Sequence, residues 1–201
     1  MSDKRLYILA GCNGAGKTTA AYALLPEQLD CKEFVNADEI ARGLSPFNPE
    51  RVSIQAGKLM VHRIDELLAA GESFVIETTL STRSYVSLVR QAQEKGYTVG
   101  MLFFWIESAE MAEMRVAMRV AEGGHNIPRE VIYRRYDSGL RNLFRLYLPC
   151  MDFWIIYDNS SIHRTIVAEG GSHVREKIHN QVIYDKILDE TNCIRGVLWQ
   201  R

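Results

Sequence analysis

Gly11-Cys12-Asn13-Gly14-Ala15-Gly16-Lys17-Thr18 fits the spacing G-x-x-x-x-G-K-[ST] in full, and that spacing serves one kind of chemistry, the cradling of a phosphate chain. Glycines let successive backbone N–H groups converge on an anion. The lysine reaches the β- and γ-phosphates, and the neighbouring hydroxyl ligands Mg²⁺. The spacing makes Gly11, Asn13, Gly14, Ala15, Gly16, Lys17, Thr18 and Thr19 the expected nucleotide-binding set, with Thr18 on the metal and Lys17 also acting in catalysis. Three further groups follow apolar runs: Asp38 after Phe34-Val35, Glu77-Thr78-Thr79 after Phe74-Val75-Ile76, and Asp158-Asn159 after Trp154-Ile155-Ile156-Tyr157. Asp38 can take the proton of an acceptor hydroxyl, or it can cap a helix starting at Glu39. Glu77 is placed to meet substrate or a Mg²⁺-bound water, with Thr78 and Thr79 adding hydroxyls beside it.

Arg115 and Arg119 are four apart on one helical face, and Arg134 and Arg135 follow on the next helix, across Gly123-Gly124. Arginines so placed can steady a phosphoryl group in transfer, against the ordinary alternative of a solvated face paired with Glu113 or Glu122. Two of the four are expected to act, and Arg119 and Arg134 are the pair assigned. His125 can touch phosphate, although a lone loop histidine is ordinarily structural.

Strands must deliver these groups and helices must cover the strands. The pattern gives strands at 6–10, 33–36, 73–77, 97–106 and 153–158, separated by helices after the glycine loop, over 49–70, 81–95 and 108–122, and from Pro128 onward. A closing helix is expected over about 172–190, after a short apolar segment Thr165-Ile166-Val167. Alternation of this kind predicts a three-layer α/β/α fold, with a mostly parallel five-stranded sheet and a crevice at the strand C-terminal ends. The helix-glycine-helix unit at about 108–147 is expected to be a lid, and residues 1–201 one domain.

The 201 residues are 47% hydrophobic, and 24 Lys plus Arg oppose 25 Asp plus Glu. So even a balance supplies no global field for a nucleic-acid backbone or an anionic membrane and favours a small ligand. Cys12, Cys31, Cys150 and Cys193 are scattered, which fits reduced thiols and a cytoplasmic location. No apolar run approaches a membrane span. These observations leave open a kinase for a small hydroxyl compound, such as an antibiotic or a nucleoside, or for a polynucleotide 5′ end. They also leave an ATPase or nucleotide switch without an acceptor, or a ligand-binding protein without turnover.

Gly11 to Thr19, Val35-Asn36-Ala37-Asp38-Glu39-Ile40-Ala41, Phe74 to Leu80, Gly123 to Pro128 and Arg134-Arg135 together resemble the zeta toxin family of phosphate-loop kinases. The resemblance runs from about residue 5 to 160. It implies transfer from ATP or GTP, with Mg²⁺, to the 3′-hydroxyl of UDP-N-acetylglucosamine, and a small helical antitoxin as partner. It implies Asp38 as general base, Glu77 and Thr79 on the acceptor, Lys17 and Thr18 on nucleotide and Mg²⁺, and lid arginines on the γ-phosphate. The chain departs from the better-known members in its shorter length and in Glu-Thr-Thr where some have Glu-Gly-Thr.

Overall fold

Near-continuous apolar runs build the centre of the molecule, because strands covered by helices on both faces have no solvent side to alternate with. The structure is a computed structural model that describes residues 4–24, 31–124 and 126–196, with the side chains of Leu24 and of residues 193–196 outside that description. Strand β1 (Arg5–Ala10) is buried from Leu6 onward, β3 (Phe74–Thr78) is buried over its first three residues, and β4 (Thr98–Trp105) is buried from Val99 to its end. With β2 (Glu33–Val35) and β5 (Phe153–Asp158) they form a parallel array in the order β2-β3-β1-β4-β5.

The chain leaves β1 for the sheet edge at β2, returns to lay β3 beside β1, and then crosses to β4 on the other side. The topological switch therefore falls at β1, and in parallel α/β sheets ligands bind outside the strand C-terminal ends at such a point. Register brings those ends within two residues of one another: Ala10 pairs with Thr78 on one side and Phe103 on the other, Val35 pairs with Ile76, and Trp105 pairs with Asp158.

The helices are α1 (Lys17–Leu24), α2 (Ala37–Leu44), α3 (Ser53–Ala70), α4 (Tyr85–Glu94), α5 (Ala109–Ala121), α6 (Arg129–Asn142) and α7 (Gln181–Gly196). Ser108 caps α5 by accepting the Met111 N–H at 3.1 Å, as its place before an apolar run predicts. A 3₁₀ turn over Pro49–Val52 opens the long helix expected at 49–70. The helix expected from Ser81 starts later, at Tyr85. Buried Leu80 adopts a left-handed conformation (φ +55°) just before it, in a turn held by Asn142 Nδ2 donating to the Leu80 carbonyl at 2.7 Å.

Two expectations are corrected. Among the described residues the sheet has seven strands rather than five, since β6 (Thr165–Gly170) and β7 (Lys177–Ile178) extend it with antiparallel pairing beyond β5. The closing helix begins at Gln181, not near 172. Gly171, at φ +153°, packs against the backbone of Asp152 and Phe153, turning the chain back along β6. Asn180 then supplies the cap by accepting the Ile183 N–H at 3.1 Å. No helix among the described residues is long and apolar enough to cross a membrane.

Helix α7 is fastened through Glu190, whose Oε2 accepts from Tyr136 Oη at 2.9 Å and Trp105 Nε1 at 3.3 Å. Burial raises the Glu190 pKa, against the opposing pull of those two donors and of Lys186, while Asp137 adds to the rise. A carboxyl whose folded pKa lies above its unfolded value contributes stability that is fully present below the unfolded pKa and is lost as pH rises through the folded one. Glu190→Gln keeps an acceptor for both donors and removes the titration. Its urea-unfolding stability relative to the parent is therefore expected to rise between pH 4 and pH 7, and a difference that does not change over that range would refute this.

Candidate active site

Strand β1 ends at Ala10 and α1 starts at Lys17, so residues 11–16 must reverse the chain around the open N-terminus of a helix. That end of α1 carries unpaired N–H groups and positive dipole, an anion site by construction. Gly14 and Gly16 take φ +78° and +81°, which side chains rarely tolerate. Gly11 lies against the Phe104 backbone and Ala15 is buried behind the loop, so these two shape it from the protein side. Thr19 lines the cleft in front.

Lys17 is 6% exposed. Its Nζ donates to the Cys12 carbonyl at 2.9 Å and lies 3.5 Å from Glu77 Oε1. Glu77 Oε2 accepts from Thr18 Oγ1 and from Asn36 Nδ2, both at 2.8 Å. One carboxylate thus gathers the phosphate loop, the end of β3 and the start of α2. Two hard oxygens, from Thr18 and Glu77, meet where a phosphate chain would arrive. A side-chain hydroxyl and a carboxylate are the donors Mg²⁺ takes when phosphates and water complete its shell, so the pair fits that ion.

Asn36 also caps α2, its Oδ1 accepting the N–H of Asp38 at 2.8 Å and of Glu39 at 3.4 Å. Asp38 is therefore not the cap. It is exposed, and its carboxylate makes no hydrogen bond among the described residues. Three hollows adjoin there. The largest, about 700 Å³, lies over the phosphate loop between α1 and α5 and includes Lys17, Thr18 and Arg119. A second of about 200 Å³ is lined by Asn13, Glu77, Thr79, Tyr85 and Arg135. The third, about 390 Å³, lies between α2 and α6 and includes Arg42, Glu50, Arg134 and Arg135. Asp38 lines all three.

The four arginines of α5 and α6 part company. Arg115 donates to the carbonyls of Asn159 at 2.9 Å and Ser160 at 2.8 Å, which ties α5 to the turn after β5. Arg119 lines the phosphate-loop cleft and the outer hollow. Exposed Arg134 reaches only the outer one among these. Arg135 donates to Asn13 Oδ1 at 3.1 Å and lines both the outer hollow and the small one, which meet at Asp38. Burial lowers the Arg135 pKa, Asp38 pulls it back up, and Arg134 lowers it further. Cys12 sits behind the loop with its thiol pushed up to about 12 by burial, against the charges of Lys17 and Arg115, so it is inert as a nucleophile. Thr79 shares a 2.9 Å hydrogen bond with Ser81. His125 lies outside the described residues.

The spacing thus brings Lys17, Thr18, Asp38, Glu77 and Thr79 to one crevice, with Arg119 and Arg134 on its lid side. It misses Asn36, although Asn followed three residues later by Glu39 is a helix-start signal. Arg42 and the closer approach of Arg135 carry no sequence signal, because α2 and α6 meet only in the fold.

Residues 2–165 match the family model described as Zeta toxin. An uncharacterized protein of Haemophilus influenzae is 30% identical over 137 residues, 68% of this chain and 94% of that protein. Among solved structures, the AvrRxo1-ORF1:AvrRxo1-ORF2 complex with sulphate ions is similar over 92% of this chain with TM-score 0.75 and 20% identity. The same complex with ATP gives TM-score 0.73 at 20% identity. This chain spans 63% of that AvrRxo1 chain. The PezAT chromosomal toxin-antitoxin system of Streptococcus pneumoniae gives TM-score 0.68 at 18% identity, over 100% of this chain and 89% of that one. At these identities the solved structures attest to the fold.

Asn36→Ala removes both the α2 cap and a hydrogen bond to Glu77, and is expected to cost about 1.5–3 kcal/mol in urea unfolding. Asp38→Ala removes neither and is expected to stay within about 0.5 kcal/mol of the parent. Equal costs would return the cap to Asp38.

Proposed function

The chain belongs to the zeta toxin family, and we propose that it is a kinase that moves the γ-phosphoryl of ATP or GTP to a sugar hydroxyl of a small nucleotide-sugar. The 3′-hydroxyl of UDP-N-acetylglucosamine is the acceptor that the family implies. The observation that carries the reading is the place of Asp38: a carboxylate without a hydrogen bond among the described residues, where the phosphate-loop cleft and two further hollows join. A phosphoryl donor and an acceptor must approach each other at one such point, and a base must stand beside it.

The donor phosphates lie along the loop, with Lys17 leaving the Cys12 carbonyl for the β- and γ-phosphates. Thr18 and Glu77 would hold Mg²⁺, which would supply charge neutralisation across the phosphates. Glu77 and Thr79 also face the acceptor in the small hollow. Asp38 accepts the acceptor's hydroxyl proton as the new O–P bond forms and the bond to the β-phosphate oxygen breaks, releasing the nucleoside diphosphate. Arg119, Arg134 and Arg135 neutralise charge on the phosphoryl group in flight, and α5 and α6 act as a lid that excludes water.

Chemistry of the outer hollow supports an acceptor that carries phosphate of its own. Arg42, Arg119, Arg134 and Arg135 line it against Asp38 and Glu50, and guanidinium forks suit phosphate oxygens. A nucleotide-sugar acceptor with ATP as donor would accord with a cytoplasmic reaction. A small antitoxin partner accords with the solved toxin-antitoxin system that the chain is similar to.

Phosphorus NMR of the protein with Mg²⁺-ATP and a panel of acceptors tests this, with ADP and a new phosphomonoester expected only when UDP-N-acetylglucosamine is present. ADP without an acceptor would make the protein an ATPase. In the same assay Asp38→Asn is expected to bind nucleotide and melt like the parent while losing about 10²–10⁴ in rate. A folded Asp38→Asn variant with near-normal turnover would remove Asp38 from the chemistry.

A further inference from the structure

We propose that Asn159 is a positioning residue that holds the Ala15–Gly16 peptide in the orientation that presents the Gly16 N–H to a bound phosphate. This rests on the nucleotide-kinase reading above and assigns the loop's shape to a residue 144 positions away in sequence. Asn159 Nδ2 donates to the Ala15 carbonyl at 2.8 Å. All described peptides are trans. In a trans peptide C=O and N–H point to opposite sides, so fixing the Ala15 carbonyl toward Asn159 turns the Gly16 N–H away from it, into the concavity of the loop.

That orientation needs fixing. Gly16 sits at φ +81°, and glycine populates both signs of φ at similar cost, so rotation of this peptide meets little local resistance. A rotated peptide would aim a carbonyl oxygen at phosphate. The permissiveness that lets the loop form also lets it misform, and the restraint has to come from outside. A Cβ built on Gly16 would lie 2.6 Å from Asn159 Nδ2, so the two residues fit only as a pair.

The brace is rigid on its own side. The Asn159 N–H donates to the Trp105 carbonyl at 2.8 Å, continuing the β4–β5 pairing. Arg115 holds the carbonyls of Asn159 and Ser160. Asp158 Oδ1 accepts from the Ser160 N–H at 2.9 Å and its hydroxyl at 2.6 Å. The Arg164 guanidinium lies 4.9 Å over the Tyr157 ring and 5.6 Å over Phe104, pinning the far end of the turn. With the backbone held from every side, the amide has one orientation to offer the loop.

Calorimetric titration of Mg²⁺-ADP and of Mg²⁺-pyrophosphate into the parent, Asn159→Ala and Asn159→Asp decides the matter, with melting of each unliganded protein alongside. Both variants are expected to melt within about 3 °C of the parent, the shift of a lost hydrogen bond in a chain of this size. Both ligands are expected to bind Asn159→Ala about three- to tenfold more weakly, the effect of one hydrogen bond. Asn159→Asp keeps the shape but cannot donate, so it is expected to lose at least as much. Affinity within about twofold of the parent in both variants would overturn the inference. So would a loss for ADP without one for pyrophosphate, which would move Asn159 to the base side, or a collapse of melting temperature in both variants. If the parent binds neither ligand, the kinase reading fails and this inference with it; if the parent binds and the variants match it, the inference alone fails.

Discussion

The Glu77 carboxylate is the contact on which the rest of the site depends. It is set at the end of a buried strand and gathers Lys17, Thr18 and Asn36 within 3.5 Å. A charge so placed needs partners, because desolvation is costly unless each oxygen is hydrogen-bonded or paired. The partners it finds are the three groups whose positions matter most: the lysine and hydroxyl of the phosphate loop, and the residue that starts the helix bearing Asp38. Removing any one would leave the others around an incompletely paired carboxylate. The crevice is therefore assembled by the protein's own contacts.

Assembly of this sort demands that the ends of β1 and β3 agree in height, and the register supplies that agreement. Ala10, Thr78 and Phe103 stand side by side, so the loop after β1 and the acid one residue before the end of β3 meet without a long connection. The two antiparallel strands past β5 add nothing to the crevice directly. They carry the chain back so that α7 can lie against α6, where Glu190, Tyr136 and Trp105 lock the lid helix to the end of β4. Helix α6 is thus footed in the main body while Val131, Arg134 and Arg135 near its start line the outer hollow.

What the sequence makes legible is what depends on neighbours in the chain. The phosphate loop is a single string flanked by an apolar run and a helix, and every role in it follows from local spacing. Glu77 and Asp38 are legible as strand-end acids because a buried parallel strand must deliver its next residue to the crevice. The capping of α2 was within reach, since Asn36 and Glu39 stand three apart, but Asp38 offers the same local chemistry and only the backbone separates them. The start of α7 is harder. Ser172 and Asn180 are both competent caps, and the choice is made by Gly171 packing on Asp152 and Phe153, a contact between distant segments. Arg135 on Asn13 and Asn159 on Ala15 were out of reach for the same reason, as each joins residues more than a hundred positions apart.

The arginines show why counting charges on a lid says little about what they do. All four lie within 21 positions and any of them could be drawn onto a phosphate from sequence. In the fold Arg115 is committed to two carbonyls, so its charge stabilises a turn and reaches phosphate only through the loop that turn braces. Arg135 gives one N–H to Asn13 and keeps its charge near Asp38, so α6 is tied to the phosphate loop and feels the Asp38 carboxylate. A guanidinium offers five donors in a fixed fork, so such a residue can hold the loop with one and still meet a phosphoryl group with others. Arg119 and Arg134 differ by position instead, one bordering the phosphate-loop cleft and the other only the outer hollow. Movement of α6 would bring Arg134 inward and would pull on Asn13 through Arg135. Any shift of α6 is then also a pull on the phosphate loop, because Arg135 and Asn13 join the two.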